Sequence, residues 1–199
     1  MSLSGRGFAA LYGPLTAGAE RAGMGSARGM LLAGVRGHVL EIGAGTGWNV
    51  EHYPPGSDVT YTEPDLHMAR RLRAKGVDVV EAGAEALPFA DDSFDTVVST
   101  LVLCTVPDVA TSLREIRRVL APGGRLLFLE HVRADAGTRL ERWQDRLHGP
   151  WHAVAGGCNC NRDLLASLDA AAFLVDDVRR ESWRFMPRLV RPVVIGVAT

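Results

Sequence analysis

The sequence predicts an α/β protein: a doubly wound, mostly parallel seven-stranded sheet with an antiparallel last strand. Three observations predict it. From His38 onward, short apolar or β-branched runs alternate with segments of helical periodicity, the pattern of a sheet covered on both faces. The first apolar run, Val39-Leu40-Glu41-Ile42, hands over to a turn with glycine at alternate positions, 43, 45 and 47. The last two apolar runs are joined by a connection around Met186-Pro187 that is too short for a helical crossover, so they are expected to be antiparallel neighbours.

Taken in order, residues 1–37 form an N-terminal helical segment, expected to lie over residues 38–199 as a lid. Phe8, Leu11, Tyr12 and Leu15, then Ala27, Met30 and Leu31, recur at helical spacing, giving two short helices broken near Gly13-Pro14 and at Gly23 to Gly25. A helix-like segment is expected from the glycine turn to Tyr53. Asp58 to Thr62 alternates as a strand, and Asp65 is placed to cap a helix running to Lys75. Val77 to Val80 and Phe94 to Ser99 read as strands. Asp108 caps a helix that buries Leu113, Ile116, Val119 and Leu120 and stops at Pro122-Gly123-Gly124, ahead of a strand over Arg125 to Val132. Arg139 to Leu147 reads as an amphipathic helix broken by Gly149-Pro150, residues 151–161 as a loop, and Asp163 to Ala172 as a helix. Phe173 to Ser182 and Leu189 to Ala198 are the last strands.

Composition narrows the function. The 199 residues carry 22 Lys plus Arg against 23 Asp plus Glu, a net charge of −1, which gives no general pull toward nucleic acid. A chain of this length buries roughly 70% of its unfolded surface and needs no disulfide staple. Its three cysteines, Cys104, Cys158 and Cys160, fit a reducing compartment, so the expectation is cytoplasmic. No stretch has the length of a membrane span or the form of a secretory leader. Residues 1–37 carry a net charge of +3, which leaves peripheral membrane contact open; oligomeric state is not legible.

The glycine turn carries the chemistry. In open α/β sheets, ligands bind beyond the carboxyl ends of the strands, where glycine lets the backbone approach closely. Glu63, 20 residues after Gly43, is spaced to accept hydrogen bonds from a ribose diol. Glu41, two residues before Gly43, would repel a pyrophosphate but can pair with an ammonium group. The ligand implied is a nucleoside bearing an amino acid in place of phosphates, and the glycine spacing differs from the dinucleotide fingerprint of a nicotinamide-dependent oxidoreductase.

Later stretches agree: Ala84-Glu85-Ala86-Leu87-Pro88-Phe89, Asp91-Asp92-Ser93-Phe94-Asp95, and Leu113-Arg114-Glu115-Ile116 through Leu120-Ala121-Pro122-Gly123-Gly124. With them the chain resembles the class I S-adenosylmethionine-dependent methyltransferases, of the type that includes ubiquinone and menaquinone methyltransferases. Over residues 38–198, Thr100-Leu101-Val102-Leu103-Cys104, Glu130-His131-Val132, Trp151-His152, Gly157-Cys158-Asn159 and Val190-Arg191-Pro192 are similar to the methyltransferase-like thiol methyltransferases of animals.

The resemblance implies a Rossmann-like fold, S-adenosylmethionine as cofactor and S-adenosylhomocysteine as product. It implies Glu41 near the cofactor's amino group, Gly43, Ala44, Gly45 and Gly47 under its methionine part, and Glu63 with Pro64 at the ribose. Gly83, Ala84 and Glu85 would lie along the adenine, with Gly83 standing where many members have Asp, and Thr100 would line the cofactor. The acceptor is expected to be a small-molecule nucleophile, with an alkyl thiol as one reading; a quinone or lipid headgroup, and a non-catalytic S-adenosylmethionine-binding protein, are the alternatives.

Methyl transfer from a sulfonium is an in-line displacement that depends mostly on positioning. His131, after the fifth strand, and Tyr12, folding over from the N-terminal segment, are the candidate catalytic residues. Leu103, Cys104, Trp151, His152, Cys158 and Asn159 are the candidate substrate pocket. His148, His152, Cys158 and Cys160 are zinc-ligand types, but their spacing is irregular and Gly149-Pro150 is expected to interrupt the helix aligning the histidines, so no metal is expected there.

Overall fold

The computed structural model describes Gly7, Gly13, residues 16–183 and residues 185–199. Tyr12 and most of the first expected N-terminal helix lie outside the described residues. Residues 16–19 are helical, pass through a π-helical turn at Glu20–Met24, and continue as α1 (Gly25–Leu32). The break expected at Gly23 to Gly25 is instead a kink. Gly23 alone leaves helical geometry, at φ 134°, and the Gly25 N–H already bonds back to the Glu20 carbonyl, so the helix resumes at once.

Seven strands follow: β1 (His38–Ile42), β2 (Asp58–Thr62), β3 (Val79–Val80), β4 (Phe94–Thr100), β5 (Leu120–His131), β6 (Val175–Ser182) and β7 (Pro192–Ala198). They form one sheet in the order β3-β2-β1-β4-β5-β7-β6. The first five are parallel, and β7 inserts antiparallel between β5 and β6. The order reverses between β1 and β4, and in open α/β sheets ligands bind at the carboxyl ends of the strands beside such a reversal. Helices α2 (Leu66–Arg73), α3 (Val109–Val119), α4 (Arg139–Val154) and α5 (Leu164–Ala170) connect the strands. Asp65 accepts from the N–H groups of His67 and Met68, Asp108 from Thr111 and Asp163 from Ala166, each satisfying donors that a helix start leaves free.

Strand alternation sorts the two faces. Leu40, Ile42, Val97, Leu126 and Phe128 bury one face, against α3 residues Leu113 and Ile116. Val39, Val98, Leu127 and Ile195 bury the other, against Ala27, Leu31 and Leu32 of α1. The same period places Glu41, Thr100 and His131 on the α1 side and Ser99 and Glu130 on the opposite side.

Two expected boundaries are corrected. No α-helix follows the glycine turn: Gly43, Gly45 and Gly47 all adopt positive φ, and the segment closes with a single 3₁₀ turn, Val50–His52. A helix cannot be built on left-handed residues. In contrast, α4 runs straight through Gly149-Pro150 to Val154. The helix lies on the surface with Gln144 as its buried residue, so the carbonyl that loses its partner at the proline can turn to water. Smaller shifts occur at β5, which begins at Leu120 across an irregularity opposite Phe94, and at Leu189, which lies in a 3₁₀ turn before β7.

Candidate active site

The turn after β1 is held by backbone bonds and one carboxylate. The Ala44 N–H donates to the Thr62 carbonyl at 2.8 Å and the Gly47 N–H to the Ala44 carbonyl at 2.9 Å. Glu63 accepts from the Gly45 N–H at 2.7 Å and from the Asp65 N–H at 2.8 Å. A Cβ on Gly43 would sit 2.7 Å from the Val102 methyls, and one on Gly47 2.7 Å from a Leu72 methyl. Gly45 differs: its nearest neighbour would be 3.8 Å away, so this position needs glycine for its φ of 58° and not for room.

Glu41 is buried beneath α1. Its carboxylate accepts from the Tyr53 hydroxyl at 2.7 Å and from the Asn49 amide at 3.0 Å. Burial outweighs these bonds and the nearby Arg28 charge, and Glu63 adds repulsion, so the Glu41 pKa is pushed up to about 7. Glu63 is also raised by burial, against the two N–H bonds it accepts. The two acids expected to grip opposite ends of a ligand therefore stand close enough to feel each other, flanking one turn.

Arg28, read only as part of a cationic segment, is the buried hub of this region. Its guanidinium pairs with Glu20 at 3.0 Å and donates to the Asn49 side-chain oxygen at 2.7 Å and to the Thr100 hydroxyl at 2.8 Å. Asn49 donates to the same hydroxyl at 3.0 Å. One network thus ties the N-terminal helix, the turn after β1 and the end of β4. Of the other N-terminal cations, Arg21 and Arg36 are exposed, and Arg6 lies outside the described residues. The adenine candidates are adjacent after β3: a Cβ on Gly83 would meet a Glu85 oxygen at 3.1 Å, Ala84 is buried, and Glu85 accepts from the Asp108 N–H at 3.4 Å. Pro64 is exposed.

The loop after β4 is shaped by a carboxylate that sequence reading passed over. Glu130, fully buried, accepts from the Ser99 hydroxyl at 2.6 Å and from the N–H groups of Val102, Leu103 and Cys104 at 2.9–3.1 Å. This turns Leu103 into the main core and Cys104 toward the α1 side. There, Cys104 Sγ lies 4.0 Å and Cys158 Sγ 3.9 Å from His131 Nδ1, all three residues buried. The shared thiol hydrogen bond holds Cys158 below and Cys104 above the ordinary thiol range, with burial also raising Cys104 and the imidazole also lowering Cys158. His131 Nε2 is buried with no hydrogen-bond partner among the described residues.

Asn159 locks this arrangement. Its N–H and side-chain amide both donate to the Cys104 carbonyl, at 2.8 and 3.2 Å, and its side-chain oxygen meets His148 Nε2 at 2.8 Å. Trp151 packs in the same apolar cluster as Cys104, Cys158, Met24 and Met186. His152 stands apart: it is exposed, with its ring 5.7 Å from that of His148. Cys160 is buried with Sγ toward the Gln144 carbonyl. The structure therefore brings His131, Cys104, Cys158, Trp151 and Asn159 together, and leaves Leu103 and His152 outside.

Residues 40–128 match the Methyltransferase domain family. Human thiol S-methyltransferase TMT1A is 38% identical over 169 residues, covering 80% of this chain and 69% of that protein. The ubiquinone/menaquinone biosynthesis C-methyltransferase UbiE of Bartonella tribocorum is 36% identical over 106 residues, covering 52% of this chain and 38% of the relative. Among solved structures, a Thermotoga maritima S-adenosylmethionine-dependent methyltransferase shares the fold with a TM-score of 0.75 at 23% identity, covering 100% of this chain and 99% of its own. The described residues contain no helix long and apolar enough to cross a membrane. The chain belongs to the class I S-adenosylmethionine-dependent methyltransferases, in the group that holds the mammalian thiol S-methyltransferases.

Proposed function

We propose that this protein transfers the methyl group of S-adenosylmethionine to the sulfur of a small, apolar thiol. The observation that carries the reading is the buried His131–Cys104–Cys158 cluster beyond the ends of β4 and β5, on the same face of the sheet as Glu41 and Thr100. The residues around the turn fit the cofactor's chemistry. Glu41, framed by Tyr53 and Asn49, offers a negative charge to the ammonium group, and Glu63 offers acceptors to the ribose hydroxyls. Gly43, Ala44, Gly45 and Gly47 would bring main chain against the methionine part, and Gly83, Ala84 and Glu85 would hold the adenine.

S-adenosylmethionine supplies a sulfonium methyl, and positive charge disperses as it is transferred. The protein's tasks are to exclude water and to hold the acceptor in line, which supplies roughly 7–11 kcal/mol of the barrier. Trp151, Met24 and Met186 would provide the apolar wall, while His131 Nε2, buried without a hydrogen-bond partner among the described residues, would be a polar group able to orient the acceptor. The human relative's thiol S-methyltransferase activity supports sulfur over oxygen or carbon as the acceptor atom.

Incubation with S-adenosylmethionine and a mixed panel of small thiols, alcohols, amines and quinols, read by mass spectrometry, tests the proposal. Thiols gaining one methyl group are expected. Methylation confined to the other classes would overturn the thiol reading, and no product with tight S-adenosylhomocysteine binding would favour a non-catalytic binding protein.

A further inference from the structure

Three buried side chains from three separate parts of the chain converge beyond the ends of β4 and β5. Cys104 comes from the loop after β4, His131 from the end of β5 and Cys158 from the loop after α4. Their two sulfurs and one ring nitrogen all lie within 4.8 Å of one another. We propose that Cys104, Cys158 and His131 Nδ1 bind a zinc ion, and that its fourth position takes the thiol acceptor.

The geometry is close to what the ion needs. With zinc–sulfur bonds of about 2.3 Å and zinc–nitrogen bonds of about 2.0 Å, a tetrahedral site sets each sulfur about 3.5 Å from the nitrogen. The observed separations are 3.9 and 4.0 Å, so drawing the ligands inward by a few tenths of an ångström completes three corners. The loops are already braced for this. Glu130 fixes the Cys104 backbone, and Asn159 ties the Cys158 loop to the Cys104 carbonyl. Two thiolates and a neutral imidazole cancel the charge of a divalent ion, as a buried site requires. Arg162, whose guanidinium donates to the Leu103 and Val106 carbonyls, is a cation close enough to feel both thiols and Glu130.

Two sulfurs and one nitrogen leave a corner open, the arrangement of a catalytic and not a structural zinc site. An acceptor thiol that enters this corner loses its proton to solvent and binds as thiolate. Its sulfur lone pair then forms the new bond to the methyl carbon, and the carbon–sulfonium bond breaks with its electron pair left on S-adenosylhomocysteine. The thioether product carries no charge, is a poorer ligand and leaves. Metal binding itself stands on the three side chains; the catalytic role rests on the thiol reading above.

The test uses the purified full chain, supplied with zinc and dialysed, and measures metal by mass spectrometry. About one zinc per chain is expected. Cys104→Ser and Cys158→Ser should each lower zinc content at least about tenfold, while Cys160→Ser, a neighbouring buried thiol outside the cluster, retains it. S-adenosylhomocysteine binding by each variant checks that it folds. In the cobalt-substituted protein, sulfur-to-cobalt charge-transfer bands should appear and shift when a small thiol is added. Absence of bound metal in the wild type, or metal retained without both cysteines, overturns the site. Thiol methylation that survives complete removal of metal overturns its catalytic role and leaves the thiol reading standing. Bound zinc with no thiol methylated sinks the thiol reading and leaves the site.

Discussion

At the residue scale, Glu41 decides most. A carboxyl group whose pKa is raised in the folded state stabilises the fold at low pH and loses that contribution as pH rises through about 7. From its ordinary 4.5 to about 7, this amounts to about 3 kcal/mol against the folded protein at alkaline pH. The cofactor's ammonium group would relieve that strain by favouring the carboxylate. S-adenosylhomocysteine affinity should therefore rise with pH up to about 7 and then level, with a proton released on binding below that point. Glu41→Gln should abolish this pH dependence and weaken binding about ten- to a hundredfold, while raising stability above pH 7. Calorimetry in buffers of different ionisation enthalpy reads the proton directly; pH-independent affinity in the wild type would contradict the placement.

The glycine turn offers a second residue-scale contrast. Gly45→Ala costs only the left-handed backbone, roughly 1–2 kcal/mol. Gly43→Ala adds a clash with Val102 at 2.7 Å and should cost more than Gly45→Ala in denaturant unfolding. Equal costs would show that Val102 yields freely. The sequence made the need for glycine here visible, but not which position is crowded, because Val102 arrives from the loop after β4.

At the scale of elements, the N-terminal helix is held by Arg28. Removing this guanidinium leaves Glu20 buried and unpaired and withdraws the donor that reaches Thr100. Arg28→Ala should destabilise the protein by about 3–5 kcal/mol and speed hydrogen exchange in residues 16–32. Unchanged exchange there would contradict the clamp. Glu130 performs the comparable task for the loop after β4. Glu130→Gln replaces one acceptor oxygen with an amide that faces main-chain N–H groups, at about 1–3 kcal/mol. Turnover should fall about tenfold or more with S-adenosylhomocysteine affinity unchanged, because the loop after β4, not the glycine turn proposed to hold the cofactor, is displaced. Loss of both together would place Glu130 in the cofactor site.

Across the whole molecule, what was legible in the sequence followed from local chemistry. Asp65 and Asp108 announce helix starts because their side chains satisfy donors two or three residues on, and the β-branched runs mark strands because alternation is a local property. Glu63 could be read from its distance to Gly43 because strand and helix lengths in such a unit are nearly fixed. Arg28 could not, since burial of a guanidinium depends on Glu20, Asn49 and Thr100 meeting it in space. Cys104, His131 and Cys158 are each 27 residues from the next, and only the parallel order β4-β5 and the return of the α4 loop bring them together. Gly149-Pro150 misled for a related reason: helix breaking is local, but a surface helix tolerates it.

We propose sulfur as the atom that receives the methyl group. Transfer from S-adenosylmethionine carrying a ¹³C-labelled methyl, followed by carbon NMR with a small apolar thiol and an alcohol of the same shape present together, tests it most directly. Label is expected at a thioether methyl resonance, with none on the alcohol. Label appearing as an ether methyl, with the thiol left unmodified, would contradict it.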